Sequence, residues 1–270
     1  MSAGGPWRPH WRAYAAECGG TALLVLIGLS IVIADFAPGT PVARLLPGAF
    51  ERRLLTGFLF GGTGALLALS PLGRISGAHL DPVVSGAFWF TGSLQAADAV
   101  LYAAAQVVGG LLGALPLPLL WGRAGAAVRY AATLPGPAGP WVAVCGEVLA
   151  TGALVGTILW FSGHPALRRF TPASLPPLVA LLVGLEAPWS GTSMNPARSL
   201  GPALLTATAS RMWIYLLGPL VGATLAAVAL VHPGRVHVAK IAHHGHDPLG
   251  RFHGPAVDSA AAALRRRARP

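Results

Sequence analysis

Polar and apolar positions follow neither a strand alternation nor one amphipathic stripe. They segregate into long uncharged runs separated by short polar breaks. The runs are Ala13–Ile33, Leu54–Leu72, Ala96–Trp121, Trp141–Phe161, Ala173–Trp189 and Trp213–Val231. Most lie near the ~20 residues a helix needs to cross a hydrocarbon core. The pattern therefore predicts an all-α membrane protein with six transmembrane helices, an even number that leaves both termini on one side. The first run is too long for a signal-peptide core and contains Glu17, so it reads as a retained helix. Residues 1–12 form a polar lead-in, 122–140 a connection between two halves, and 232–270 a tail rich in His, Arg and Ala. Within that tail, Ser259–Ala268 suits a short helix.

Two of the polar breaks carry related phrases. Ser76-Gly77-Ala78-His79-Leu80-Asp81-Pro82-Val83 follows the second run, and Gly191-Thr192-Ser193-Met194-Asn195-Pro196-Ala197-Arg198 follows the fifth. Asp and Asn are favoured N-caps, and Pro is favoured at the first helical position, where its missing N–H is no loss. Each phrase therefore predicts the start of a short helix. Other features also recur between the halves. Glu17-x-x-x-Thr21 matches Glu147-x-x-x-Thr151, and Gly109-x-x-x-Gly113 matches Gly218-x-x-x-Gly222. The repeats are residues 13–121 and 141–231, each with three spans and one half-helix. Three crossings reverse direction, so the second copy is inverted, as in many transport proteins with a site near the midplane. The small-residue pairs, with Gly57/Gly61 and Gly152/Gly156, permit close helix packing.

Composition supports the class. Only 10% of residues are charged, against the ~25% usual in soluble domains. The net charge of +10 suggests a nucleic-acid partner until its placement is considered. With cytoplasmic termini, twelve Lys and Arg fall on inside segments and seven outside, which agrees with the positive-inside rule. No stretch resembles a nucleic-acid module. Trp121, Trp141, Trp160, Trp189 and Trp213 sit at run ends, where interfacial belts form. Cys18 and Cys145 lie inside runs as small apolar residues, with no disulfide framework. The tail cluster His243-His244-Gly245-His246-Asp247 has ligand types that suit zinc or nickel, but short His clusters are more often solvated. Arg265-Arg266-Arg267 suits anionic lipid headgroups.

Four strings carry a resemblance: Ala16-Glu17-x-Gly19-x-Thr21, Ser76-Gly77-Ala78-His79-Leu80-Asp81-Pro82, Ala105-Gln106-x-x-Gly109, and the run from Gly191 to Ala203. Together they are similar to the major intrinsic proteins, the aquaporins and aquaglyceroporins, over about residues 13–231. The resemblance implies an aquaporin-like inverted repeat in which two re-entrant half-helices, near Pro82–Phe90 and Pro196–Leu205, meet at their N-termini. It implies a passive channel for water and small uncharged solutes in the plasma (cell inner) membrane. It also implies a homotetramer with one pore per subunit, embedded in lipid, with no cofactor and no catalytic residue. It further implies that half-helix dipoles and an arginine exclude ions, as in aquaporin-type pores.

Residue by residue, the resemblance makes Asp81, Pro82, Val83, Asn195, Pro196 and Ala197 the pore motifs. It makes Glu17 and Glu147 braces of the two loops, with His79 beside them. The other reading of His79 is a pH-sensitive gate at the cytoplasmic mouth. Arg198 becomes the cationic wall of the selectivity filter, with Thr192 as its neighbour. The family's spacing adds Gly61, 20 residues before Asp81, and Val183, 12 before Asn195. Gly and Val there widen the constriction and favour glycerol, urea or metalloid hydroxides. The adjacent register puts Phe60 at the first position and yields a narrower, water-selective pore.

The chain departs from the family at Asp81-Pro82-Val83, where Asn-Pro-Ala is usual. An ionised Asp only accepts hydrogen bonds, and its charge offsets part of the half-helix's positive end. Burial and the helix terminus pull its protonation in opposite directions. Two other classes remain in view. A proton-coupled secondary transporter would use Glu17, Glu147 and Asp81 as a relay. An intramembrane hydrolase would draw on Ser76, His79, Ser193 or Ser199, but no base and orienting group accompany them.

Overall fold

The computed structural model describes residues 9–230 and Ile241. The His243–Asp247 cluster, Arg265–Arg267 and the segment Ser259–Ala268 lie outside those residues. The first half contains α1 (Trp11–Phe36), α2 (Pro41–Leu45), α3 (Ala49–Leu69), α4 (Pro71–Ser76), α5 (Pro82–Phe90) and α6 (Ala96–Ala114). After α7 (Leu117–Ala127), the second half contains α8 (Pro140–Gly163), α9 (Thr171–Ser190), α10 (Pro196–Leu205) and α11 (Met212–Leu230).

Five stretches are long and apolar enough to cross a membrane among the described residues: α1, α6, α8, and the regions Arg168–Ser190 and Ala209–Leu230. The sixth crossing is α3, whose 21 residues rise about 31 Å at ~1.5 Å per residue. Its first turn carries Glu51, Arg52 and Arg53, which dilute its hydropathy at one end.

The packing repeats as the sequence does. Helix α1 lies along α6, α8 lies along α11, and α3 pairs with α9 across the centre. Glycines set these distances. A Cβ at Gly109 would meet the Cys18 carbonyl carbon and Thr21 Cβ of α1 at 3.0 Å, and one at Gly222 would meet the Gly152 nitrogen of α8 at 2.9 Å. The matching G-x-x-x-G pairs of the two halves thus seat matching helix pairs.

Two sequence boundaries need correction. The third run does not continue to Trp121, because α6 ends at Ala114 and a turn at Leu115–Pro116 precedes α7. Pro116 and Pro118 supply no backbone donors, so the helix cannot be carried through them. Trp121 instead lies in α7 and donates its indole N–H to Ser30 Oγ at 2.9 Å. Likewise α3 stops at Leu69, where Ser70 accepts the Leu72 N–H at 3.2 Å and starts α4.

Candidate pore and selectivity filter

The two half-helix loops are built alike. Gly77 (φ +93°) and Gly191 (φ +82°) end α4 and α9 in the left-handed region, which glycine adopts without steric cost. The preceding serines turn back on the loop: Ser76 Oγ accepts the Ala78 N–H at 3.1 Å, and Ser190 Oγ accepts the Thr192 N–H at 3.0 Å. Ala78, Leu80, Thr192 and Met194 then take φ values of +51° to +55°. Such residues each cost about 1–3 kcal/mol and persist only where their surroundings hold them.

Two fully buried carboxylates hold them here. Glu17 Oε1 accepts the His79 N–H at 3.0 Å, while Oε2 accepts the Leu80 N–H and Gln106 Nε2, both at 2.7 Å. Glu147 Oε1 accepts the Ser193 N–H at 2.7 Å and the Ser190 hydroxyl at 2.6 Å, and Oε2 accepts the Met194 N–H at 2.8 Å. Hydrogen bonds to a charged group contribute about 1.5–3 kcal/mol each, enough to offset two left-handed residues per loop. A second pair of struts was not singled out from the sequence. Tyr102 donates its hydroxyl to the Ser76 carbonyl at 2.7 Å, and Tyr215 donates to the Ser190 carbonyl at 2.8 Å.

The His79 ring is buried, stacks on Phe88 at 4.7 Å between centroids, and has Nδ1 3.0 Å from Ser85 Oγ. Ser85 also accepts Gln106 Nε2 at 3.0 Å, which ties α5 to the Glu17 brace. His79 is therefore part of the loop's support on both its backbone and its ring.

The motif residues divide between two places. Asp81 Oδ1 caps α5 by accepting the Val83 N–H at 2.9 Å. Asn195 Oδ1 caps α10 through the N–H groups of Ala197 at 2.9 Å and Arg198 at 3.2 Å. Asn195 Nδ2 donates to the Leu80 carbonyl at 2.8 Å, joining one loop to the other where the half-helices meet. Asp81 and Asn195 line an inner cavity of about 100 Å³. Pro82, Val83 and Pro196 instead border a separate apolar cavity of about 330 Å³ along α11, so the Val83 methyls do not line the inner cavity. Ala197 is buried against Gly110. Ile241 returns to the inner cavity, where it is 4% exposed and its N–H donates to the Gly77 carbonyl at 2.9 Å.

An outer cavity of about 340 Å³ is lined by Arg198, Thr192, Val183 and Phe60, with Arg53 also on its wall. The Arg198 side chain is 5% exposed; Nη1 donates to the Ala131 carbonyl at 3.2 Å, and Cζ lies 5.8 Å from the Phe60 ring centroid. Phe60 borders both the inner and the outer cavity, as do Val179, Ser193 and Met194, so these residues lie between the two.

Gly61 borders the inner cavity beside Phe60 but not the outer one. A Cβ there would lie 2.8 Å from the Leu175 carbonyl oxygen and 3.0 Å from Val179 Cβ, so Gly61 is where α3 and α9 touch. Phe60, 21 residues before Asp81, shares the outer cavity with Arg198.

Glu186 is a further buried residue that the sequence did not single out. Its Oε2 accepts the Thr192 hydroxyl, and its Oε1 has no hydrogen-bond partner among the described residues.

A bundle with two half-helices capped towards one another and cavities on either side of their meeting point defines a membrane channel. The Major intrinsic protein family model matches residues 7–231, and the chain belongs to that family. It is 32% identical over 223 residues to the lens fiber major intrinsic protein of Gallus gallus, covering 81% of this chain and 79% of the relative. It is 34% identical over 222 residues to the probable aquaporin TIP4-1 of Oryza sativa subsp. japonica, covering 80% and 84%. An X-ray structure of the aquaglyceroporin from Plasmodium falciparum shares the fold with a TM-score of 0.67 and 21% identity, covering 82% of this chain and 95% of that one. The protein is an integral membrane channel for water or small solutes, not an enzyme.

Proposed function

We propose that the protein passively conducts water together with small uncharged polar solutes of the urea and glycerol type. The observation that carries this reading is the amphipathic outer cavity. Arg198 lines it with a guanidinium, and Phe60, Val183 and Val179 supply apolar wall. A solute with a hydroxyl or amide edge and a carbon face matches both walls, as few-donor, mostly apolar ligand sites do in general. Val183 adds neither a ring nor a donor, which leaves room and removes a group that would hold water. Phe60 narrows the opening relative to a glycine, so unbranched or planar solutes pass and bulkier metalloid hydroxides are disfavoured.

In this reading Thr192 and Arg198 form the filter with Phe60 and Val183, and Asp81 and Asn195 form the inner motif. Each half-helix N-terminus contributes about half a positive charge against cations, and Arg198 adds a full one. The subunit forms a homotetramer in the plasma (cell inner) membrane with both termini cytoplasmic, in accord with the distribution of Lys and Arg. A proton relay is disfavoured because Glu17 and Glu147 are occupied by backbone donors.

The second reading, a water-selective pore, draws on Phe60 beside Arg198. Stopped-flow light scattering on reconstituted vesicles separates the two. Swelling with urea or glycerol above empty vesicles is expected beside fast water flux. Fast water flux without solute entry leaves the water-selective reading, and no water flux overturns both.

A further inference from the structure

We propose that Glu186 is a specificity-determining positioning residue of the filter, acting through Thr192. The inference rests on the reading of Thr192 as a filter residue and extends it to a side chain behind the wall.

Thr192 needs to be held. It is β-branched with φ +51°, a combination that sterics make a genuine outlier. Two hydrogen bonds fix it: its N–H donates to Ser190 Oγ at 3.0 Å, and its hydroxyl donates to Glu186 Oε2. The first fixes the backbone; the second fixes which way the side chain faces in the outer cavity that Thr192 lines.

Glu186 is a poor choice if stability were its only purpose. It is 5% exposed, yet Oε1 has no hydrogen-bond partner among the described residues. The nearby Ser190 hydroxyl has one proton, and Glu147 takes it. A buried oxygen without a partner is an expense that an apolar side chain of similar size would avoid. The fold nevertheless makes room for it, since a Cβ at Gly146 of α8 would overlap the Glu186 carboxylate. A cavity left open in one helix for an under-bonded carboxylate on the next, whose one bond goes to a strained filter residue, points to control of that residue. Without this bond the Thr192 hydroxyl turns to the cavity, and the backbone is free to leave the left-handed region.

The test compares urea and water permeabilities of reconstituted wild type, Glu186→Gln, Glu186→Ala and Gly146→Ala, each normalised to the protein in the vesicles. Glu186→Gln keeps an acceptor for Thr192 and should hold the urea-to-water ratio within about twofold of wild type. Glu186→Ala should change the ratio at least about fivefold, roughly the ~1 kcal/mol that one hydrogen bond is worth. Gly146→Ala displaces the carboxylate without altering either partner and should move the ratio the same way. If Glu186→Ala fails to accumulate, Gly146→Ala and Thr192→Val carry the test.

A second measurement asks whether Glu186 acts through Thr192. Adding Glu186→Ala to Thr192→Val should have no further effect on the ratio. Ratios equal to wild type in Glu186→Ala and Gly146→Ala, or additive effects in the double variant, overturn the proposal. Loss of protein yield at a constant ratio marks a merely structural role and overturns it too. Failure of wild type to pass urea refutes the solute reading alone, because a rise in urea entry on Glu186→Ala is still read against that baseline.

Discussion

Asp81→Asn is the substitution most informative about ion exclusion. Asp81 lines the inner cavity close to where α5 and α10 meet. The two helix N-termini together present about one positive charge there, and an ionised Asp81 cancels about that amount. A unit charge about 4 Å from a passing monovalent cation, at an effective dielectric near 20, is worth about 4 kcal/mol. At ~1.4 kcal/mol per tenfold, that is up to about three orders of magnitude in cation passage. The half-helix itself should survive, because the Asn Oδ1 can accept the Val83 N–H that Asp81 Oδ1 accepts at 2.9 Å.

The new amide also gains a donor. By the symmetry of the two loops it should donate to the Met194 carbonyl, as Asn195 Nδ2 donates to the Leu80 carbonyl at 2.8 Å. That bond is worth about 0.5–1.5 kcal/mol. The assay is water flux and cation leak in the same proteoliposomes between pH 5 and 8. A carboxyl gains charge as pH rises, so wild-type leak should rise with pH. In Asp81→Asn the leak should be low and flat, with water flux within about twofold, the margin for one modest bond in or out. Superposable leak profiles in the two proteins would refute the reasoning.

Other substitutions probe separate parts. Phe60→Ala removes the apolar wall beside Arg198 and should raise glycerol entry several-fold relative to water; an unchanged ratio in stopped-flow traces would return the filter position to Gly61. Glu17→Leu strands the His79 and Leu80 N–H groups and Gln106 Nε2. At about 1–3 kcal/mol for each unsatisfied donor, the loss is of the order of a whole domain's stability. Detergent size-exclusion profiles should show little folded protein, and normal yield with normal flux would contradict the bracing role. Ile241→Ala empties part of the inner cavity and should increase water flux per channel, whereas unchanged flux would show that Ile241 lies clear of the path.

Local chemistry was legible in the sequence wherever one residue's needs decide its surroundings. Asp81-Pro82 and Asn195-Pro196 start helices because a short acceptor and a missing N–H suit that position alone, and the observed helices begin at Pro82 and Pro196. Glu17 and Glu147 could be read as carboxylates that must find partners in an apolar span, and the family resemblance supplied the bracing role. Side-chain direction was not legible in the same way. Whether Gly61 or Phe60 shares a cavity with Arg198 depends on how α3 is turned about its axis, which a residue count does not register. Tyr102 lies seven residues before Gly109, while Tyr215 lies three before Gly218. The two offsets differ by about one helical turn, so the tyrosines share a face without sharing a spacing. Glu186 looks like a charge at a span end that can reach water; only Gly146 across the interface shows that it is enclosed.

The symmetry of the scaffold and the asymmetry of the pore therefore have different sources. Glutamate, serine and tyrosine repeat in both halves because each loop must hold two left-handed residues, and the donors to be satisfied are backbone groups that any sequence supplies. Nothing in that requirement constrains what lines the passage. There the halves diverge: an amide donor at Asn195 faces an acid at Asp81, and Thr192 has a carboxylate behind it whereas its counterpart Ala78 has no hydroxyl to offer one. Of the four carboxylates around the path, Glu17 and Glu147 have both oxygens engaged, so replacing them acts first on folding. Asp81 and Glu186 each make a single side-chain bond among the described residues. Replacing these two should leave the scaffold standing and alter what passes through it.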